Sequence, residues 1–126
     1  MKTYRLLALA PALLLCTGCI AVSVDRHYDG ASRDHFACDA GELTIVHSKV
    51  PDGPQRVQDL SGSFQLSEAD RAEASAFFQR FKTVRLSFDG CSEGRMQLAA
   101  SGTASGGGPL AGRITVDERG LQTSLE

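Results

Sequence analysis

Residues 67–88, SEADRAEASAFFQRFKTVRLSF, contain the change of hydrophobic period that decides the fold. In the first part, apolar residues recur at steps of three to five, which is typical of a helix with one buried face. Ser67 is the predicted N-cap, and Asp70 in place of Glu makes a weaker capping box. The predicted helix covers about 68–81. Its predicted inward residues are Ala69, Ala72, Ala76, Phe77 and Phe81.

After this helix, apolar residues recur at every second position, a period typical of half-buried strands. The strands predicted in this way cover about 84–88, 96–100, 110–116 and 121–125. The connections at 89–94 and 102–109 are short enough for an antiparallel meander. The sequence therefore predicts α+β architecture, in which one helix packs on a curved antiparallel sheet.

Upstream of the helix the signals are weaker. Residues 43–49 are rich in β-branched side chains and follow a turn signal, which predicts a strand. Two prolines around Asp-Gly predict a loop at 50–54, because proline cannot donate to a strand ladder. A further short strand is predicted at 61–66.

The composition sets broad limits on function. The 126 residues suit one domain, and 42% hydrophobic with 22% charged residues is ordinary for a globular protein. Thirteen Lys and Arg against fifteen Asp and Glu give a net charge of −2, without the basic surplus expected of a nucleic-acid binder. No nucleic-acid partner is therefore predicted.

The first twenty residues, MKTYRLLALAPALLLCTGCI, have the pattern of an export signal. Two basic residues precede ten apolar ones, too few for a membrane-spanning helix but suited to the core of a signal peptide. Thr17-Gly18-Cys19 resembles the lipobox of bacterial lipoproteins, although Cys16 stands where that family usually has Leu. The resemblance implies a signal peptide at 1–18 and lipidation of Cys19. The alternative is an ordinary signal peptide cut elsewhere, which would release the protein into the periplasm.

Ile20 follows the proposed lipid-bearing cysteine, where Asp would retain many lipoproteins in the inner membrane. The resemblance therefore implies an outer-membrane location, with the lipid bilayer as the partner of the N-terminus. Residues 19–35 lack a sustained hydrophobic period and are predicted to form a lipid-anchored tether, in which residues 21–24 are a candidate short strand. Residues 36–126 are predicted to form a single periplasmic domain.

Two cysteines, Cys38 and Cys91, remain beyond the anchor. An exported compartment favours a disulfide between them, which would close a loop of about 54 residues. Free or metal-binding thiols are the alternative.

Several polar groups are candidates for chemistry. The cluster before residue 40 fits a solvated tether better than a metal site, because its spacing matches no closed site, and neither a metal nor a cofactor is predicted. Its members are Asp25, His27, Asp29, Asp34, His35 and Asp39. His47, on a predicted strand, is interpreted as a structural histidine. An enzyme would require a cleft around it, with a carboxylate within hydrogen-bonding distance.

The glycine-rich stretch 101–108 lacks the ending of a phosphate-binding loop and is predicted to be a flexible hairpin connection. Binding residues often lie on such connections, which makes it the candidate contact loop. The residues proposed for contact are Ser101, Gly102, Thr103 and Ser105.

Two short segments are similar to the membrane-bound lysozyme inhibitors, small periplasmic lipoproteins of β-barrel form. Residues 36–43, FACDAGEL, resemble their opening strand, and Ala100-Ser101-Gly102 resembles the start of their inhibitory loop. The resemblance implies that Ser101 would enter a lysozyme cleft. Ser105 stands where that loop has Tyr, and the predicted helix interrupts the sheet.

Together these features predict an outer-membrane lipoprotein with a non-catalytic binding domain, an inhibitor or immunity-type module with a periplasmic protein partner. No catalytic residue is assigned, because no nucleophile with a base is recognisable. The alternatives are a structural accessory subunit of an envelope assembly, a relative of the lysozyme inhibitors, and a small enzyme.

Overall fold

The structure is a computed structural model that describes the backbone of residues 21–26 and the residues 31–51 and 53–126. The predicted signal peptide and Cys19 lie outside the described residues. Within the described ranges the chain forms eight strands and one helix. They are β1 (Ala21–Arg26), β2 (Ser32–Cys38), β3 (Gly41–Lys49), β4 (Gln55–Gly62), α1 (Glu68–Phe78), β5 (Phe81–Ser92), β6 (Arg95–Ala104), β7 (Pro109–Asp117) and β8 (Gly120–Leu125).

The strands form two four-stranded antiparallel sheets, each a simple meander. The order is β1-β2-β3-β4 in the first sheet and β5-β6-β7-β8 in the second, and α1 connects the two. The predicted α+β class, antiparallel meander and packed helix are confirmed. The sequence indicated one curved sheet, and the strands are instead divided between two.

The first strands occupy part of the stretch predicted to be a tether. β1 pairs with β2 from Ala21↔Ala37 to Arg26↔Ser32, and β2 pairs in turn with β3. Asp34 and Phe36 are buried in β2, whereas Arg33 is exposed. Buried and more exposed residues therefore alternate in β2 as in a half-buried strand. Because one of the buried residues is an aspartate, the alternation does not appear in the hydrophobicity of the sequence.

Other boundaries also differ from the prediction. The strand expected at 61–66 lies earlier, as β4, and residues 63–66 are outside it. A bulge between Val46 and His47 shifts the register of β3 against β4. Strands β5 and β6 extend to Ser92 and Ala104, so both predicted connections are shorter than expected.

The helix begins as predicted and ends earlier. Ser67 accepts a hydrogen bond from the backbone N–H of Asp70, and the Asp70 carboxylate accepts one from the Ser67 N–H, which completes the capping box. Helix α1 ends at Phe78, and Phe81 begins β5. The buried face consists of Ala74, Phe77 and Phe78, so the prediction of Ala69, Ala72 and Ala76 as inward residues was wrong.

Asp70 also ties the start of the helix to the last hairpin. The backbone N–H of Leu121 donates to Asp70 Oδ1 over 3.0 Å. This bond, followed by the bond from the Ser67 N–H, holds the pKa of the Asp70 carboxyl below its ordinary value, because both favour the charged form. On the same side of the helix, Glu73 accepts from the N–H and the hydroxyl of Thr123.

One hydrophobic core lies between the two sheets and the helix. The largest side chains with less than 2% exposure are Phe36, Phe78, Phe81, Leu43, Ile45, Met96, Leu98, Ile114 and Val116. The inward positions predicted for 96–100 are confirmed by the burial of Met96, Leu98 and Ala100. Both sheets contribute to this core, so neither would be covered without the other.

A disulfide joins the two sheets at one end. Cys38 at the end of β2 is bonded to Cys91 near the end of β5, with Cα atoms 6.5 Å apart, as predicted. In the described part of the chain, no helix has the length and apolar character needed to cross a membrane.

Candidate functional site

A chain of buried polar side chains links four strands at the end opposite the disulfide. His47 Nε2 of β3 lies 3.1 Å from Asp34 Oδ2 of β2, and His47 Nδ1 lies 2.8 Å from Gln55 Oε1 of β4. The side-chain N–H of Gln55 donates to the carbonyl oxygen of Lys82 in β5 over 3.0 Å. The chain therefore connects the first sheet to the second, as the disulfide does at the other end.

The hydrogen-bonding groups determine where the protons lie. The Lys82 carbonyl can only accept, so the Gln55 amide nitrogen faces it and the Gln55 oxygen faces the imidazole. His47 Nδ1 therefore carries a hydrogen and donates it to Gln55. His47 Nε2 faces Asp34 Oδ2, so both ring nitrogens have a polar partner.

Burial makes this chain energetically important. Asp34, His47 and Gln55 are 4%, 3% and 7% exposed, and the imidazole packs on the Phe78 ring with centroids 5.1 Å apart. A buried polar group costs free energy unless it is hydrogen-bonded, and here each has a partner. The geometry is that of a structural histidine, and it also places a carboxylate within hydrogen-bonding distance of the ring, as the enzyme alternative required.

An open cleft of about 760 Å³ lies over this chain, between the first sheet and the start of the second. Asp34, His47 and Gln55 form part of its lining. The rest of the lining consists of Ser32, Lys49, Thr83, Val84, Arg85, Leu86, Ser101 and Gly102. Its volume lies within the usual range for ligand-binding clefts, roughly 300–1,000 Å³.

Two cations lie at the edge of the cleft. Lys49 and Arg85 are both exposed. Among the ion pairs of the described residues, neither cation has a carboxylate within 4 Å. Asp34 is the one carboxylate among the described residues of the lining, and its Oδ2 lies 3.1 Å from His47 Nε2. The cleft therefore presents positive charge and hydroxyl groups to solvent.

The structure separates the four residues of the predicted contact loop. Ser101, Gly102 and Thr103 lie in strand β6 and not in a loop, and the first two line the cleft. Glycine is required at 102, because a Cβ there would overlap the Thr83 carbonyl oxygen.

Ser105 lies in the turn and has a structural function. Its hydroxyl donates to the carbonyl oxygen of Gln79 over 2.7 Å, and its N–H donates to that of Arg80 over 2.8 Å. It therefore satisfies carbonyl groups left free where the helix ends. The glycine-rich connection is fastened to residues 79–80, which directly follow α1, and the prediction of a flexible loop did not anticipate these bonds.

Two described members of the predicted tether cluster, Asp34 and His35, have different partners. Asp34 is engaged with His47, and His35 Nδ1 lies 2.8 Å from the Thr44 hydroxyl. His27 and Asp29 lie outside the described residues. Across the residues whose side chains are described, no group of three His, Cys, Asp or Glu is placed to hold a metal ion.

A second hollow of about 790 Å³ lies at the disulfide end, and its charges are mixed. It is lined by both acidic and basic side chains, and Arg95 Nε lies 3.9 Å from Asp117 Oδ2 within it. These charges largely offset each other. The cleft over His47 is therefore the stronger candidate for recognition of a charged group.

Sequence reasoning identified Ser101 and Gly102 but missed Lys49, Arg85 and Gln55. The two cations occupy outward positions on strands, where a charged residue is normal and carries no signal. Gln55 follows a proline loop and has no local feature that predicts burial.

Comparison with known protein families, with curated proteins and with solved structures finds no match to this chain. The features of the chain that bear on function are therefore the signal-like N-terminus, the disulfide and the cleft.

Proposed function

We propose that this protein is an outer-membrane lipoprotein, tethered through Cys19, whose periplasmic domain binds a partner protein without catalysis. The lipobox-like sequence supports the anchor. The Cys38–Cys91 disulfide supports an exported location, because such bonds persist in oxidising compartments.

The observation that carries the binding proposal is the open cleft with its two exposed cations, neither of which takes part in an ion pair with another described residue. Lys49, Arg85 and Ser101 come from β3, β5 and β6, so elements of both sheets build the surface. The sheets are fastened together on both sides of the core by the disulfide and by the His47 chain. A rigid surface loses little conformational entropy on binding, which favours an inhibitor or immunity-type module.

The anchor is tested by intact-mass analysis of the protein purified from membranes. We expect a chain that begins at Cys19 and carries acyl chains, with a mass that rises by two hydrogens on reduction. A Cys19→Ala variant serves as control and should lose the acyl mass and leave the membrane fraction. A non-acylated chain that begins at another residue would refute the anchor and make the protein secreted.

The binding surface is tested by photo-crosslinking in cells. A photoreactive residue replaces Ser101 in the cleft or, as a matched control, Ser61, an exposed serine on strand β4 outside the cleft. We expect one discrete adduct from position 101 and none from position 61. No adduct from position 101 would refute the binding proposal. Adducts from both positions would instead favour a structural accessory enclosed in an assembly.

A further inference from the structure

The charge at the cleft is opposite in sign to the charge of the chain. Removal of residues 1–18 would leave 11 basic and 15 acidic side chains, yet the cleft exposes Lys49 and Arg85. Lys49 also lines an adjoining hollow with Lys82 and Ser105. Among the described ion pairs, none includes any of these three cations.

We propose that this cleft recognises an acidic segment of a partner protein, with Lys49 and Arg85 pairing with its carboxylates. The proposal rests on the binding function proposed above and names the chemistry of the partner. An arginine guanidinium binds a carboxylate through two parallel hydrogen bonds, and lysine adds a mobile point charge. The Ser101 hydroxyl offers a further donor in the same cleft.

The size and lining of the cleft favour a peptide segment over a free ion. A single small anion would occupy a minor part of about 760 Å³. Val84 and Leu86 add apolar surface to the lining, which suits the carbon atoms of neighbouring side chains. A protein segment is also favoured over a lipid surface, because recognition of anionic lipid generally uses clusters of 4–8 basic residues.

The test measures binding of a fluorescein-labelled hexaglutamate peptide by anisotropy. The protein is the full mature chain, purified from membranes in a neutral detergent. A hexaglutamine peptide with the same label is the control probe. The double variant Lys49→Gln/Arg85→Gln removes the cleft cations. The double variant Arg56→Gln/Arg119→Gln, at exposed positions outside this cleft, removes the same charge.

We expect the hexaglutamate peptide to bind and the hexaglutamine peptide not to bind. The cleft variant should weaken binding at least about tenfold, whereas the matched control should stay within about twofold of the unchanged protein. Binding should also weaken between 50 and 300 mM salt, because exposed charges are screened. Urea unfolding of both double variants checks that they are folded. Because the replaced side chains are exposed, we expect both variants to unfold as the unchanged protein does.

Four results would overturn the proposal. They are equal binding of the two peptides, equal weakening in the two double variants, full competition by inorganic phosphate at the concentration of the peptide carboxylates, and full competition at that concentration by glycerophosphoglycerol, the soluble headgroup of phosphatidylglycerol. The photo-crosslink at Ser101 distinguishes failure of the acidic-partner proposal from failure of the proposed binding function. If the adduct persists undiminished in the Lys49→Gln/Arg85→Gln protein, a partner is bound and the acidic chemistry is wrong.

Discussion

Replacement of His47 by Leu tests the buried polar chain that closes the cleft end of the domain. Leucine retains apolar contact with Phe78 but removes both hydrogen bonds of the imidazole. Asp34 Oδ2 and Gln55 Oε1 are then left without the partners that they have in the structure. Since Asp34 is 4% exposed and Gln55 is 7% exposed, water cannot fully replace the lost hydrogen bonds.

The expected cost follows from these two orphaned groups. Removing the partner of a buried carboxylate costs about 3–5 kcal/mol, because the desolvation of the carboxylate is left uncompensated. An unsatisfied buried amide oxygen costs about 1–3 kcal/mol on its own. The two penalties overlap because the cavity relaxes, so we expect His47→Leu to lower the free energy of unfolding by about 3–5 kcal/mol.

Two further variants isolate the cause. His35→Leu makes the same change in the same sheet, where the side chain is 32% exposed and its loss leaves only the rotatable Thr44 hydroxyl without its partner, and it should cost about 1 kcal/mol. The double variant Asp34→Leu/His47→Leu removes the orphaned carboxylate as well. It should recover at least about 2 kcal/mol of the loss, because replacing both partners of a buried pair is far less costly than removing one.

The assay is equilibrium urea unfolding of the oxidised protein near neutral pH, followed by circular dichroism. A cost below about 1 kcal/mol for His47→Leu would show that the imidazole does not hold the buried carboxylate. Additive effects of the Asp34 and His47 substitutions would also contradict the reasoning, because residues in one hydrogen-bond network should be coupled.

Three further predictions concern the fastening of the domain. Cys38→Ala/Cys91→Ala should lower the free energy of unfolding in urea by about 4 kcal/mol, since the disulfide joins positions 53 residues apart. If the oxidised protein is no more stable than this variant, the predicted stabilisation by the disulfide is wrong. Asp70→Asn should cost about 1–2 kcal/mol at neutral pH, because an amide has one acceptor oxygen for the two N–H groups that Asp70 serves. The pKa of Asp70 is lower in the folded protein than in the unfolded chain, so the charged carboxylate stabilises the fold fully above a pH of about 4. This stabilisation is lost as the pH falls through the folded pKa. The stability difference between the Asp70→Asn variant and the unchanged protein should therefore shrink in acid, which a pH series of unfolding curves measures. Gly120→Ala should lower the free energy of unfolding by at least about 1 kcal/mol, because φ is +129° and the new Cβ would lie 2.6 Å from Asp70 Oδ1. Gly106→Ala is the control: its new Cβ would have no atom within 4 Å, so thermal stability should change little.

The helix and the second sheet could be predicted because their inward positions are almost all apolar. In β6, Met96, Leu98 and Ala100 are buried, and the intervening residues are partly exposed, so the two-residue period is visible. The helix boundary was overestimated because Phe81 continues the apolar spacing past the end of α1. In the structure Phe81 is a buried residue of β5, and its ring packs against Phe77 of α1. The helix and the strand that follows it therefore contribute to the same aromatic cluster.

The first sheet was less predictable because polar residues occupy inward positions. Asp34 in β2 and Gln55 in β4 are buried, and each is satisfied by a residue on another strand. A hydrophobicity pattern counts both as exposed, so residues 32–35 of β2 were predicted to be tether and no strand was predicted for residues 55–60 of β4. The same long-range pairing explains why the candidate site was only half predicted, since the cleft exists only after the two sheets meet.

The two connections between the sheets differ in what they do for the cleft. The disulfide joins β2 to β5 at the end remote from Lys49, so it resists separation of the sheets without touching the lining. The His47 chain joins the same two strands directly beneath the cleft, and Asp34, His47 and Gln55 are themselves part of its lining. Hydrogen bonds form only within a narrow range of distances and angles, so this chain of bonds constrains the separation of the strands that carry Lys49 and Arg85. The buried polar residues that obscured the first sheet in the sequence are therefore the residues that shape the proposed binding surface.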